Sequence, residues 1–381
     1  MPANLNANNV CGFPPTGGIW LSGKGTFGVR EQSPRCLTIG LINNMPDGAL
    51  EATERQFLSL LNEASGSMQV RLLLFSFSGI LRSGEAATRV RMFYSGVEKL
   101  WNARLDGLIV TGREPGAPRL TEETYWKEFT RVFEWARENT FSSVWSCLAA
   151  HAAVLYSDGI PRVRKRTKQC GIFDCAMVGK HPLTAGIGSR MRLPHSRWNG
   201  LSEWELRRHG FSMLTRSEDV GVDAFAKRDK SLFVYFQGHP EYEANSLLLE
   251  YRRDVARFLK GESKQYPESP KNYFDEATSN ELAALQREAI RRPRKDLLPE
   301  INEVLLQSKI EETWRPAANR IYRNWLEYVS AEKQIWLASR KGIEREPMRG
   351  RPALVAIGKG DRLGGARESP RSVHGKAAAA G

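Results

Sequence analysis

Three side chains, far apart in this chain, are of the types that make a nucleophile, its base and an acid that orients the base: Cys147, His239 and Glu241. Cys147 stands where an apolar run, residues 141–146 (FSSVWS), gives way to a run of small residues, 148–155 (LAAHAAVL). A strand that breaks into a helix there lifts the sulfur out of a sheet. It also aims the unpaired first N–H groups of the helix at whatever the sulfur attacks. Further along, a second apolar run, 232–237 (LFVYFQ), leads into Gly238-His239-Pro240-Glu241. In an extended segment residues i and i+2 point the same way, so Glu241 can reach the His239 imidazole. Taken singly, Cys147 reads as a buried core thiol, His239 as a satisfied loop histidine and Glu241 as a charge at a helix start. Together they point to covalent catalysis by a thiolate, which is a good nucleophile near neutral pH.

The elements that must hold these residues follow from hydrophobic periodicity. Residues 1–34 are rich in Asn, Gly and Pro without a period and read as a flexible leader. From Leu37 short buried strands alternate with amphipathic helices: strands at 37–42, 70–75, 107–110 and 141–146, helices at 51–64, 93–103 and 122–138. Phe57, Leu60 and Leu61 share one face of the first helix, and Trp126, Phe129, Val132, Phe133 and Trp135 mark the core side of the third. Continuous apolar strands in β-α repetition predict an α/β fold, a flavodoxin-like parallel sheet with helices on both faces. Active sites in such sheets gather at the carboxyl ends of the strands, where Thr111-Gly112, Cys147 and His239 all fall. Residues 172–236 read as short strands and turns, interrupted by Pro194-His195-Ser196-Arg197. Helices follow at 244–259, 275–291 and 316–338, with Pro316 at a first helical position where its missing N–H costs nothing. Three segments are expected: the leader 1–34, a catalytic domain 35–335, and a basic, disordered tail 336–381.

Charge and composition exclude several classes. The net charge is +13, but ten Lys/Arg against four Asp/Glu lie between Ser339 and Gly381, in a stretch rich in Gly, Pro and Ala. A second basic cluster, 162–168 (RVRKRTK), accompanies no aromatic-studded face or recognition helix. Both clusters read as solvated charge, and no nucleic-acid partner is expected. No apolar run approaches the roughly 20 residues that span a membrane, and the first residues lack the basic start and apolar core of a secretory signal. The five cysteines are scattered, and Cys170 and Cys175 lack a second Cys or His pair at zinc-like spacing. The expectation is a cytoplasmic protein with no bound metal or cofactor, whose Cys147 stays reduced.

Other segments accompany the cysteine corner in a fixed order. They are INNMP (42–46), ATERQFL (52–58), DGLIVTG (106–112), YW (125–126), SCLAAHAA (146–153) and YxxGIP (156–161). After them come LPHSR (193–197), GHPEY (238–242), EYRRDV (250–255), and WR with NWLxY near 314–328. Each is weak alone. In this order and spacing, from about residue 39 to 328, the chain resembles the homoserine O-acyltransferase (homoserine O-succinyltransferase) family of methionine biosynthesis, which has the class I glutamine amidotransferase-like fold and, after its sheet, a helical C-terminal extension.

The resemblance implies a ping-pong transfer. Cys147 would take the acyl group from an acyl-coenzyme A as a thioester, His239 would act as base and Glu241 would orient it. The backbone N–H of Leu148 and one from the Gly112-Arg113 loop would hold the oxyanion. Lys168, Ser196 and Arg253 match substrate-binding positions, and Gly116 matches the position that selects the acyl group. Glycine there goes with succinyl donors and a carboxylate with acetyl donors. The implied partners are L-homoserine and succinyl-coenzyme A (or acetyl-coenzyme A) as co-substrate; L-serine is the rival acceptor, and a homodimer stays open. The residues themselves keep other readings open. Lys168 sits in a basic run, Arg253 could pair with Glu250 three residues before it on a helix, His195 and Arg197 could pin a turn, and His151 could pack locally. An amide hydrolase of glutamine amidotransferase type would use the same Cys-His-Glu set, although it normally has glycines on both sides of the cysteine. Two departures touch the donor side: Asp47-Gly48 where the family has lysines, and Arg113-Glu114 after Thr111-Gly112, with Glu114 near enough to Gly116 to replace the absent carboxylate.

Overall fold

Strands that are apolar along their whole length must be covered on both faces, and here they are. The computed structural model describes residues 18–22, 33–294 and 296–344, for 341–344 the backbone alone. The chain divides into a unit of residues 1–338 and one of 339–381. The first unit opens with β1 (Ile19–Ser22), β2 (Cys36–Ile42), α1 (Asp47–Ser65), β3 (Gln69–Ser76), α2 (Gly84–Phe93), β4 (Ser95–Gly96), β5 (Gly107–Val110), α3 (Trp126–Asn139), β6 (Ser142–Ser146) and α4 (Leu148–Asp158). It continues through β7 (Val163–Met177), β8 (Arg190–Gly200), α5 (Glu203–Arg208), β9 (Ser212–Met213), β10 (Thr215–Ser217), β11 (Gly221–Val222), β12 (Ala224–Arg228) and β13 (Leu232–Phe236). Helices α6 (Ser246–Leu259), α7 (Glu276–Arg291), α8 (Leu297–Gln307) and α9 (Arg315–Glu344) follow.

The main sheet has the order β1-β3-β2-β5-β6-β13-β12-β9, with β4 also on β3. Its centre, β3-β2-β5-β6-β13, is parallel throughout, and β1, β12 and β9 add antiparallel edges. Side chains alternate between the faces. Leu108, Val110, Trp145 and Phe233 face α3 and α4 with Phe129, Val132 and Phe133. Ile39, Leu41, Ile109, Val144 and Val234 face α1 and α9 with Phe57, Leu60 and Leu61. On α9, Ala318, Ile321, Tyr322, Trp325, Leu326 and Val329 form one buried stripe at helical spacing. The C-terminal helix is therefore half of one core layer. Two polar anchors fix its register: Trp325 Nε1 donates to Ser142 Oγ (2.9 Å), and buried Lys333 Nζ reaches the Cys36 carbonyl (2.6 Å) and Asp106 (2.9 Å).

Several elements depart from the expected pattern. Ile19–Ser22, within the leader, pairs antiparallel with β3; residues 1–17 and 23–32 lie outside the described residues. The helix expected at 93–103 is instead α2, ending at Phe93, followed by a 3-10 turn, Val97–Asn102. No residue of α2 is buried, so it leaves no apolar period to read. Residues 172–236 were expected as short strands. They include the ends of a long hairpin, β7 with β8, in a second, antiparallel sheet of order β11-β10-β7-β8. The first half of β7 is exposed and basic, which in sequence looks like a solvated loop. Helix α8, with Leu297, Ile301 and Leu305 buried, lies between the helices expected at 275–291 and 316–338 and was not expected. Pro299 lies in its first turn, where a missing N–H is harmless. Helix α9 runs to Glu344, into the expected tail; the tail from 345 on lies outside the described residues.

Candidate active site

Strand β6 and helix α4 meet at Cys147, whose φ of 52° and ψ of −113° are rare for a residue with a Cβ. That turn points the half-buried sulfur away from the sheet. The corner is pinned on two sides. The Cys147 N–H donates to the Phe236 carbonyl (2.7 Å), extending the β6–β13 ladder by one rung. Gly112, at the end of β5, lies so close to α4 that a Cβ on it would be 2.5 Å from the Leu148 nitrogen. Leu148 opens α4, and its N–H is among the donors a helix leaves unpaired in its first turn. The peptide between Gly112 and Arg113 is thus brought to the same place as that donor, as an oxyanion pair requires.

From β13 the chain runs through Gln237 and Gly238 into His239. The His239 N–H donates to the Pro194 carbonyl (2.8 Å), Nδ1 is 2.9 Å from Glu241 Oε1, and the Tyr242 ring stacks on the imidazole with centroids 4.1 Å apart. Nε2 is left for the sulfur. The Ser146 hydroxyl, next to Cys147 in the chain, donates to the same Glu241 oxygen (3.2 Å). Burial acts against a charged His239, but the Cys147 and Glu241 charges and the hydrogen bonds to both outweigh it and hold its pKa well above the usual histidine range. The arrangement favours an imidazolium beside the cysteine.

The three residues matched to substrate binding converge from three elements. Lys168 lies where β7 breaks register against β8, between the pairs Arg164–Asn199 and Gln169–Arg197, an irregularity that re-aims side chains. Its Nζ is 2.9 Å from Asp254 and 3.6 Å from Glu250. Ser196 on β8 donates to Glu250, and the Tyr242 hydroxyl donates to the other oxygen of that carboxylate (2.5 Å). Arg253 grips Asp254 with two hydrogen bonds of 2.9 Å. Its partner is thus Asp254, rather than Glu250. Burial opposes the charge on Lys168, and Glu250, Cys170 and Asp254 more than offset it, keeping its pKa above the usual value. Asp254 was not singled out in sequence, and Glu250 only as the alternative partner of Arg253; their clue was the EYRRDV segment. The result is a patch of paired cations and carboxylates, joined to His239 through Tyr242.

Gly116 and Ala117 donate their N–H groups to Glu123 Oε1 (2.8 and 3.1 Å). A Cβ at Gly116 would be 3.5 Å from the other oxygen. Glu114, expected as a stand-in carboxylate, is exposed and lies 3.6 Å from Arg257. The buried carboxylate beside Gly116 is Glu123, which sequence reading missed. Asp47 is also accounted for: it accepts from the Ser83 N–H (2.9 Å) and hydroxyl (2.8 Å), while Arg82 bridges Asp47 to the carbonyls of Asn43 and Met45.

Among the described residues, Cys175, His195 and Asp223 bring ligand-type atoms within 4.8 Å of one another. Arg197, fully engaged, donates from Nε to His195 Nδ1 (3.2 Å), which sets a positive charge beside any cation there. Asp223 accepts from the Gly238 N–H (2.9 Å) and Thr215 hydroxyl (2.8 Å) and lies 3.3 Å from His195 Nε2. The group therefore holds the turn that carries His239. His151 bonds Gln237 (2.9 Å), and burial pushes its pKa down to about 3, so it is a neutral structural partner.

The family model described as homoserine O-succinyltransferase matches residues 28–335. A homoserine O-succinyltransferase of Bradyrhizobium japonicum is 44% identical over 302 residues, covering 79% of this chain and 92% of that one. One from Rhodopseudomonas palustris is 43% identical over 303 residues, covering 80% and 91%. Among solved structures, a glutamine amidotransferase of Thermotoga maritima overlays with a TM-score of 0.38 at 14% identity, covering 71% of this chain and 96% of that chain.

Proposed function

The chain belongs to the homoserine O-succinyltransferase family, and on that footing we propose that it transfers a succinyl group from succinyl-coenzyme A to the hydroxyl of L-homoserine, in methionine biosynthesis. The observation that carries the mechanism is the Cys147–His239–Glu241 set beside the Lys168–Ser196–Arg253 patch. The Cys147 thiolate attacks the thioester carbonyl, the bond to the coenzyme A sulfur breaks, and the His239 imidazolium protonates the departing thiolate. One thioester replaces another, so this half is nearly balanced. Acylation also removes the thiolate charge that helped hold the proton on His239. The neutral imidazole is then the base that takes the proton of the homoserine hydroxyl as its oxygen attacks the thioester. The carbon–sulfur bond to Cys147 breaks, and the thiolate–imidazolium pair returns. The Leu148 N–H and the N–H of the peptide after Gly112 hold the oxyanion in both halves, an effect of about 3–4 kcal/mol. The amino-acid zwitterion enters the charged patch, its carboxylate toward Lys168 and Arg253 and its ammonium toward Glu250 and Asp254. The same reading places the reaction in a reducing cytoplasm, where Cys147, Cys170 and Cys175 remain thiols.

The test is intact mass after exposure to succinyl-coenzyme A without acceptor. A succinyl adduct that hydroxylamine reverses, that L-homoserine discharges and that Cys147→Ala lacks is the expected result. Equal labelling of Cys147→Ala would overturn the assignment.

A further inference from the structure

A succinyl thioester on Cys147 carries a carboxylate three carbon–carbon bonds, about 4 Å, from its carbonyl carbon. A negative charge so near a partly dry site needs a cation. Most cations around the site are already used. Lys168 and Arg253 are held by Asp254, Arg257 lies against Glu114 and Asp254, and Arg82 is bound to Asp47 and two carbonyls. Arg197 donates to His195 and to the carbonyls of Asn199 and Val220.

Two arginines differ. Neither Arg113 nor Arg162 donates a hydrogen bond or joins a salt bridge among the described residues. Each has a guanidinium nitrogen, Nε of Arg113 and Nη1 of Arg162, sealed from solvent without an acceptor. Buried N–H groups are nearly always matched, so an unmatched one on a charged group marks a place where an acceptor is missing. Both arginines converge on buried Tyr125. Burial pushes its hydroxyl up, Glu123 adds to that, and Arg113 and Arg162 oppose it. Arg162 also acts on Glu123 and on Cys147. Glu123 in turn holds the backbone of Gly116 and Ala117. Arg113 follows Gly112, which is packed against the start of α4, and Arg162 is felt by both Cys147 and Glu123, so two positive charges face the one carboxylate that braces Gly116. One further carboxylate would complete the set.

We propose that Arg162, together with Arg113, seats the distal carboxylate of the succinyl group, with Glu123 bracing the loop at Gly116 on which that seat rests. The inference depends on the succinyl-transfer reading above and adds the residues that recognise the donor. Arg162 opens the basic cluster that sequence alone assigned to solvent. Its neighbour Arg164 lies 4.7 Å over the Trp198 ring, so the cluster does not share one environment.

The experiment measures kcat/KM for succinyl-coenzyme A and for butyryl-coenzyme A, in which a methyl group replaces the carboxylate, with saturating L-homoserine. Wild type is expected to favour succinyl at least about tenfold, and Arg162→Gln to reduce the succinyl-to-butyryl ratio by about 10–100-fold, the weight of a charge-assisted hydrogen bond. Arg162→Lys should fall between them, and Arg113→Gln should shift the ratio in the same direction. A ratio near one in wild type, or a ratio within threefold of wild type in both glutamine variants, overturns the proposal. Should Arg162→Gln fail to fold, the wild-type ratio and Arg113→Gln decide. Succinyl preference that survives both substitutions defeats this inference and leaves the transferase reading standing. No acylation of homoserine from any donor defeats the transferase reading itself.

Discussion

Gly112→Ala tests whether the oxyanion site is built by contact between the β5 end and the start of α4. The new Cβ would meet the Leu148 nitrogen at 2.5 Å, its Cβ at 2.9 Å and its Cα at 3.0 Å. Ordinary contact begins near 3.4 Å, so the two backbones must separate by up to about 0.9 Å. Neither side can swing away as a long side chain would. Leu148 is fixed by the corner at Cys147 and by its own helix, and Gly112 follows a strand paired on both sides. Losing one oxyanion donor costs about 2.7–4 kcal/mol, or 10²–10³ in kcat, and a displacement of about 1 Å alone can cost 10²-fold. The expected result is a fall of about 10²–10³ in kcat for succinyl transfer. The rate of Cys147 alkylation by iodoacetamide should stay within a few-fold of wild type, because that displacement forms no oxyanion. Stopped-flow acylation and alkylation on the same preparation separate the two. A kcat within threefold of wild type refutes the reasoning. Parallel loss of alkylation would mean that the cysteine corner itself had collapsed.

His239→Ala should lower kcat by about 10²–10⁴, the usual weight of a general base, and near-normal turnover would end the mechanism. Glu241→Gln removes a charge that holds the His239 pKa up, so the imidazolium is lost at lower pH and the alkaline limb of kcat/KM for the donor should move downward; an unmoved limb speaks against the pairing. Asp254→Asn frees Lys168 and Arg253 from their shared anchor and should raise KM for L-homoserine about tenfold, more than KM for the donor; equal effects on both would place the patch elsewhere. Gly116→Glu sets a second carboxylate beside Glu123 and should turn donor preference from succinyl toward acetyl, and unchanged preference removes Gly116 from donor selection. Leu326→Ala, fully buried on α9, should cost about 2–5 kcal/mol by denaturant unfolding, whereas a cost below 1 kcal/mol would show that this helix is not part of the core.

The parts of this protein that could be read from its sequence are those whose signal is local. A strand buried on both faces is mostly apolar, so β2, β3, β5 and β13 were visible as runs rich in Leu, Ile, Val and Phe, and β6 by Val144 and Trp145 after Phe141. A nucleophile at a strand-to-helix corner leaves small residues after it, and a base with its orienting acid two residues away leaves His-x-Glu. Those patterns gave the sheet and the Cys147–His239–Glu241 set. Lys168, Ser196, Gly116 and Arg253 could be named only through family likeness, since nothing in their own neighbourhoods says that β7, β8 and α6 meet. Tertiary structure alone decided that Lys168, Ser196 and Arg253 share the carboxylates Glu250 and Asp254, and that Glu123 stands beside Gly116. It also decided that one guanidinium nitrogen of Arg162 is sealed from solvent while its neighbour Arg164 stacks on Trp198. The same holds for α2, which buries nothing, and for α9, which reads as an appendage but completes a core layer. Periodicity reports which face of an element is apolar. Which elements bring their polar faces together depends on the order of strands in the sheet, and that order is set by long-range pairing that no short window of sequence contains.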